Sequence, residues 1–452
     1  MNSEVDMSTI RFVLLVAIAL AVACDESEPG KRSDGGAGDG DTSGDSDGSS
    51  PDGSSPDGSS PDGSSPDGSS PDGSSPDASS PDDAGTGGGL EDASIAPNMD
   101  DPRAEAFLET LGRGHLDSFA TGTRPIVWSE SANLEALTVV YEGTGDTRIL
   151  DELMFHIDAI LASTSEARGI VDELRGAPVA AWPTDGYYCD HLFAHAVHTG
   201  VMTYPMARFA QLVLSTPELV TTYGDSARAY VEAVDAALAV HAGQFRVTGD
   251  SGRYDWPDEI AQFGVCDGTD FADRPGTPLP FNMMLAVGRA HMALGRAMET
   301  LDDGRAANHL DRALRLARTF EDNLTAVDGY QGYAWDYIIG GRPEDASHAS
   351  QCVRFTAQAH REGLYFDDAH MQRLVNTFLD YLALDPDHVR SHLVEDYGGV
   401  YERRWQQGAV RWLALSAVTR DVYDRGRYIY DNAEGDSVLG RALLLKWDPD
   451  VP

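Results

Sequence analysis

The densest group of chemically competent side chains in this 452-residue chain is Asp328-Gly-Tyr-Gln-Gly-Tyr-Ala-Trp-Asp-Tyr337, followed by Arg342, Glu344, Asp345, Ser347 and His348. Two adjacent carboxyls and a nearby histidine can move protons. Tyr330, Tyr333, Trp335 and Tyr337 can offer flat faces to ring-shaped ligands. A plainer reading has Asp345 or Ser347 capping the helix that carries Cys352, Phe355 and Ala359, with the aromatics packing their own loop. A cap accounts for one acidic residue. It does not account for Glu344-Asp-Ala-Ser-His348 with Arg354 a turn and a half further on.

A second group is Tyr187-Tyr-Cys-Asp-His191-Leu-Phe-Ala-His195-Ala-Val-His198-Thr-Gly200. On a helix, His191, His195 and His198 would share one face at i, i+4 and i+7. That spacing can bind a transition metal, with Asp190 beside it. The zinc-protease pattern needs Glu after the first histidine, and Leu192 stands there. The expectation is therefore no metal and no cofactor, with these histidines hydrogen-bonding substrate or neighbours. His198 is expected to face a cleft, because Thr199-Gly200 and Tyr204-Pro205 suggest a kinked, closely approached helix.

Two further clusters each carry a bland and a functional reading. Arg253-Tyr-Asp-Trp256-Pro-Asp-Glu259 is a solvated loop, or it supplies Asp255 or Asp258 as a second carboxylate and Trp256 as a sugar contact. In Glu395-Asp-Tyr-Gly-Gly-Val-Tyr-Glu-Arg403-Arg404-Trp405 the arginines pair with Glu395 and Glu402, or they bind a carboxylate or sulfate bidentately. No GxSxG, Walker loop or GxGxxG is present, which disfavours serine-hydrolase and nucleotide chemistry.

The elements positioning these groups read as helices. Ala306, Leu310, Ala313, Leu314, Ala317, Phe320 and Leu324 recur at helical period, as do Leu285, Gly288, Met292, Gly295 and Met298 before them. Asp302-Asp303-Gly304 between the two runs predicts an antiparallel hairpin. Similar faces recur at Ala227–Leu238, Met371–Leu382 and Val410–Ala417, and the chain as a whole reads as about twelve helical segments. Strand alternation is nowhere sustained. Residues 97–452 thus read as one all-α domain, an (α/α) toroid of about six helical hairpins. No repeat of fixed length favours a solenoid.

Tyr333-Ala-Trp-Asp-Tyr337 with Glu344-Asp-Ala-Ser-His348 resembles the aromatic loop and Glu-Asp-x-Ser-His segment of bacterial (α/α)-toroid carbohydrate-active proteins. The hairpin from Asn282 to Asn323 is similar to helical pairs of the six-hairpin glycosidase and polysaccharide lyase superfamily. The likeness is one of pattern and covers roughly residues 180–380. It implies a polysaccharide substrate without fixing the reaction. A lyase or epimerase acting on a uronate would need its carboxylate neutralised by Asn282, Arg354 or Arg403. It would also need a base, His348 or His198, and a proton donor, Tyr333 or Tyr337. A hydrolase would set Glu344 or Asp345 across the bond from Asp255 or Asp258. Tyr187, Trp256, Trp335, Arg403 and Arg404 would hold the glycan. A non-catalytic surface protein that binds glycan or protein would use the same aromatics.

The N-terminus gives these readings a location. Phe12–Ala23 is apolar but too short to span a bilayer, and it fits a signal segment over residues 1–23. Glu4 and Asp6 do not suit a positive start, which points to Met7 as the initiator. Leu20-Ala-Val-Ala-Cys24 resembles the lipobox of bacterial lipoproteins, departing from it at Ala21, where Leu is usual. The resemblance implies lipidation of Cys24 and a place in the cell envelope. Residues 24–96, with repeated Ser-Ser-Pro-Asp-Gly units, cannot bury a core and read as a solvated stalk. With a net charge of −41 the chain is a poor partner for nucleic acid. A monomer is expected. Once Cys24 is set aside, Cys189, Cys266 and Cys352 remain, an odd set in which Cys189–Cys266 is the expected pair.

Overall fold

The computed structural model describes residues 96–111, 124–185, 191–263, 275–394, 403–432 and 437–450. The compact unit it resolves belongs to Gly88–Pro452. The signal segment, the stalk, Cys24, Tyr187, Cys189 and Cys266 lie outside the described residues.

Twelve helices of eight residues or more form among these residues. They are α1 (Pro102–Thr110), α2 (Arg124–Thr144), α3 (Thr147–Leu161), α4 (Ala196–Ser215), α5 (Pro217–Ala239), α6 (Phe281–Thr300), α7 (Ala306–Glu321), α8 (Ala346–Arg361), α9 (Asp368–Asn376), α10 (Arg403–Val410), α11 (Arg420–Asn432) and α12 (Val438–Lys446). None is long and apolar enough to cross a membrane.

Burial sorts the helices by sequence character. On α4 and α6 nearly every residue is buried, which suits helices enclosed on all sides. The helices α3, α5 and α7, partners of α2, α4 and α6 in turn, bury one stripe only, such as Ala313, Leu316, Ala317 and Phe320 on α7. Short connections join each enclosed helix to its amphipathic partner. Gly145-Asp146 links α2 to α3, and the Asp146 side chain caps α3 by accepting from the Arg148 N–H at 2.9 Å. The predicted hairpin around Asp302-Asp303-Gly304 forms as α6 and α7.

Neighbours among the enclosed helices run in chain order. α2 packs on α4, α4 on α6, α6 on α8, and α8 on α10 with its tight continuation Arg411–Ala417. That continuation meets α12, and α12 packs on α2. Where α4 crosses α6, Gly200 is obligatory: a Cβ there would lie 2.6 Å from the Val287 nitrogen.

The loops are more ordered than the sequence pattern suggests. Three antiparallel hairpins form within them: β1 (Pro183–Thr184) with β2 (Phe193–Ala194), β3 (Phe245–Thr248) with β4 (Ser251–Tyr254), and β5 (Thr325–Val327) with β6 (Gly332–Ala334). Each strand has two to four residues, too few for alternation to register.

Candidate active site

The site gathers at the N-terminal end of α8. Asp345 is the N-cap, and its Oδ1 accepts from the backbone N–H groups of Ser347 and His348, both at 2.9 Å. Its Oδ2 accepts from His348 Nδ1 at 2.5 Å. Asp345 is thus the helix cap and, through the same carboxyl, the partner of an imidazole. Burial works to raise the Asp345 carboxyl, but the facing His348 and its hydrogen bonds outweigh burial and hold it below the usual carboxylate range.

Glu344 behaves oppositely. It is completely buried, and desolvation pushes its carboxyl up to about 8. Oε1 accepts from the Asp345 N–H at 3.0 Å. Oε2 is buried and meets no hydrogen-bond partner among the described residues. At neutral pH this is a protonated carboxylic acid beside an ionised carboxylate. Ligand atoms of Glu344, Asp345 and His348 lie within 4.8 Å of one another, close enough to share a cation. Both Asp345 oxygens already accept hydrogen bonds, however, which suits proton chemistry better.

Tyr337 adjoins this cluster and links it to the segment before Asn282. The Tyr337 ring centre lies 5.3 Å from that of His348, with Arg342 over its face at 5.0 Å. The Tyr337 carbonyl accepts from the Phe281 N–H at 3.0 Å, which ties the segment to the first turn of α6. Asn282, the next residue, is buried, and its Oδ1 meets no partner among the described residues.

His198 occupies the first turn of α4. Its Nδ1 faces Thr184 Oγ1 at 3.2 Å, and Trp128 stands edge-on at 5.6 Å. His195 caps α4 at 5.9 Å from His198, and Trp256 packs edge-on against His195 at 5.2 Å. His191 does not join them. The three-histidine face that a helix through His191 would give does not form, because α4 starts only at Ala196 and Phe193–Ala194 is extended against β1. His191 instead stacks on Phe263 at 4.0 Å and meets Glu173 at 2.6 Å.

Several expected site residues are engaged by other groups. Arg354 donates to Glu135 of α2, which also accepts from Arg289 of α6 at 2.7 Å. The Arg289 guanidinium lies 3.7 Å from the Tyr204 ring centre. A second buried group joins Glu142 to Arg208 at 2.6 Å and to Lys446. Arg354 is thus committed to an ion network between enclosed helices. Trp335 and Trp256 are buried at 2% and 1% exposure, the former edge-on to Phe320 and stacked with Trp412, so neither ring is open to a polymer. Tyr333 packs on His370 and Arg373 of α9. Asp255 is held by Arg253 at 2.8 Å. The side chains of Arg403 and Arg404 lie outside what is described.

Sequence reasoning missed Trp128 and His392. Backbone pairing sets His392 opposite Asp345, far away in the chain. No spacing announces either residue. No protein-family model matches this chain, and comparison with curated proteins finds no match.

Proposed function

We propose that the domain acts on a uronate-containing polysaccharide by removing the proton next to the sugar carboxylate, as a lyase or an epimerase. The observation that carries this reading is the 2.5 Å bond between His348 Nδ1 and the Asp345 carboxylate, a pairing that orients the imidazole and raises its basicity. In the lyase reaction His348 Nε2 takes the C5 proton, the C4–O bond breaks, and a C4=C5 double bond forms. Tyr337 gives its proton to the leaving oxygen. Asn282 and the protonated Glu344 donate to the substrate carboxylate, where charge accumulates. An epimerase would return a proton to the opposite face of C5 instead. The hydrolase reading has less support, because Asp255 is already engaged by an arginine.

We also infer that the enclosed helices α2, α4, α6, α8, α10 and α12 close into a toroid. The chain of neighbours returns from α12 to α2, which supports this. In this proposal the six-hairpin carbohydrate-active proteins are the relevant resemblance. A lipid on Cys24 and the 24–96 stalk would hold the domain out in the cell envelope.

The test is a panel of uronate polymers assayed for an unsaturated, ultraviolet-absorbing product and for C5 exchange with deuterated solvent. Turnover abolished by His348→Ala supports the reading. Neither product nor exchange on any polymer rejects it, and new reducing ends without either would favour the hydrolase.

A further inference from the structure

We propose that Arg289 and Arg354, bridged by Glu135, form a binding site for an oxyanion of the carboxylate or sulfate type. The site lies apart from the Asp345–His348 pair, because Arg354 follows His348 at a distance of roughly 9 Å along α8. It stands independently of the elimination reading. An acidic sugar is one source of the anion, and a free oxyanion is the other.

Four enclosed helices each contribute one residue: Glu135 from α2, Tyr204 from α4, Arg289 from α6 and Arg354 from α8. Glu135 Oε1 faces Arg289 Nη1 at 2.7 Å, and its Oε2 accepts from Arg354 Nη1. The Arg289 guanidinium lies over Tyr204, 3.7 Å from the ring centre. Neighbours of these residues in the chain are sealed: Leu134, Ala136, Thr203, Ala290, Val353 and Phe355 keep 0% of their surface exposed. Glu135, Tyr204, Arg289 and Arg354 keep 8%, 6%, 6% and 4%. Touching side chains from four helices that stay partly exposed among sealed neighbours line one narrow crevice.

Charge and donor chemistry decide what the crevice can hold. Two guanidiniums face one carboxylate, and buried charge without a counter-charge is costly. Burial, with Arg289 and Arg411 pressing on it, takes the Arg354 guanidinium down to about 10 in spite of Glu135. Each guanidinium carries five N–H donors. Besides Glu135, Arg289 Nε reaches Gln358 Oε1 at 3.3 Å, Arg354 Nε reaches the Ser350 carbonyl at 3.3 Å, and the Tyr204 hydroxyl is within reach of Arg289. Arg354 Nη2 makes no hydrogen bond among the described residues. Donors therefore outnumber acceptors, and the pair can bind an anion through two oxygens. Planar guanidinium forks match the paired oxygens of a carboxylate or sulfate better than a spherical halide. In a chain of net charge −41, a locally positive crevice also draws anions to this one place.

The test is calorimetric titration of full-length protein with sodium sulfate, sodium acetate and sodium glucuronate at constant ionic strength, with glucose as the neutral control. The expected result is one saturable site per chain for at least one anion and none for glucose. Arg354→Lys keeps the charge but loses the fork, and it should weaken binding about tenfold. Glu135→Gln removes the competing carboxylate and should strengthen binding by about tenfold or more. An ion site elsewhere on the surface responds to neither variant. Glucuronate bound more tightly than acetate assigns the anion to an acidic sugar, whereas equal binding of the three assigns it to a free oxyanion. No saturable anion binding, or binding unmoved by both variants, overturns the proposal whatever the polymer assay finds. Should the variants fail to fold, 15N-arginine-labelled wild type decides. The anion must then shift slowly exchanging arginine Nε–H signals, and an unchanged spectrum overturns the proposal as well.

Discussion

The backbone N–H of Asp345 donates to Oε1 of its neighbour Glu344 at 3.0 Å, yet the two carboxyls are driven in opposite directions. Burial lifts Glu344 to about 8, whereas His348 keeps Asp345 ionised. The sign of the stability effect follows. A carboxyl whose folded value is raised favours the fold below its unfolded value, near 4.5, and loses that advantage as pH rises through 8. Glu344→Gln removes the titration while keeping the shape. The variant should match wild type at pH 5 and exceed it at pH 9 by up to roughly 4 kcal/mol. Melting curves at the two pH values check this, and an equal offset at both would show that Glu344 is not the titrating group.

Arg354 makes a different prediction from the one its sequence position suggests. Its partner Glu135 is buried and shares its charge with Arg289. Breaking a buried pair from one side strands the other charge and costs roughly 3–5 kcal/mol. Arg354→Met leaves Glu135 its bond to Arg289, so it should lower stability by less than that, whereas adding Arg289→Met strands Glu135 and should bring the full loss. A chemical-denaturation double-mutant cycle measures the coupling. An Arg354→Met protein as stable as wild type, but inactive, would return the residue to chemistry.

The contrast between Arg354 and Asp345 marks what was legible in the sequence. Local rules located the α6–α7 hairpin, since Asp302-Asp303-Gly304 stops one apolar period and starts another. They also narrowed the cap to Asp345 or Ser347, of which Asp345 holds it, because capping chemistry is read within three residues. At His191 the helical alternative fails, because two residues of strand pairing interrupt the helical face. Local rules had no purchase on His392 or Glu135. Those residues reach the α8 neighbourhood only through tertiary packing, and nothing in their local spacing encodes a partner so far along the chain. Aromatic density misled for a related reason: Trp335 fills the core rather than a cleft, and composition does not distinguish the two.

Buried neutral histidines should make the domain acid-labile. Tyr254 donates to His291 at 2.7 Å, His291 meets His309 at 2.8 Å, and His309 meets Asp235 at 3.1 Å. Burial depresses His291 and His309, and it takes His241 down to about 3. Each stays neutral in the fold but charges once unfolded below about 6.5. The unfolded chain then binds more protons, so stability falls as pH drops below that value. Each histidine contributes roughly 1.4 kcal/mol per pH unit. Melting temperatures should decline from pH 6.5 to 5, above the range where most carboxylates titrate. His291→Gln should flatten that decline, and an unchanged slope would reject the assignment.

Gly200 tests whether the α4–α6 crossing sets the geometry of the site. A Cβ there would sit 2.6 Å from the Val287 nitrogen and 2.8 Å from the Ala286 carbonyl carbon, both backbone atoms that cannot rotate aside. Gly200→Ala must push the two helices apart, costing roughly 1–3 kcal/mol. His198 lies two residues before Gly200, and Asn282 lies one turn before Ala286. Their separation should therefore change with the crossing. Gly304 is the control, since a Cβ there meets nothing within 4 Å, and its alanine variant should stay within about 0.5 kcal/mol of wild type. Denaturation midpoints measure the stabilities, and the His198 ring resonances report the site. A Gly200→Ala protein with wild-type stability and an unmoved His198 would mean that the crossing does not position the site.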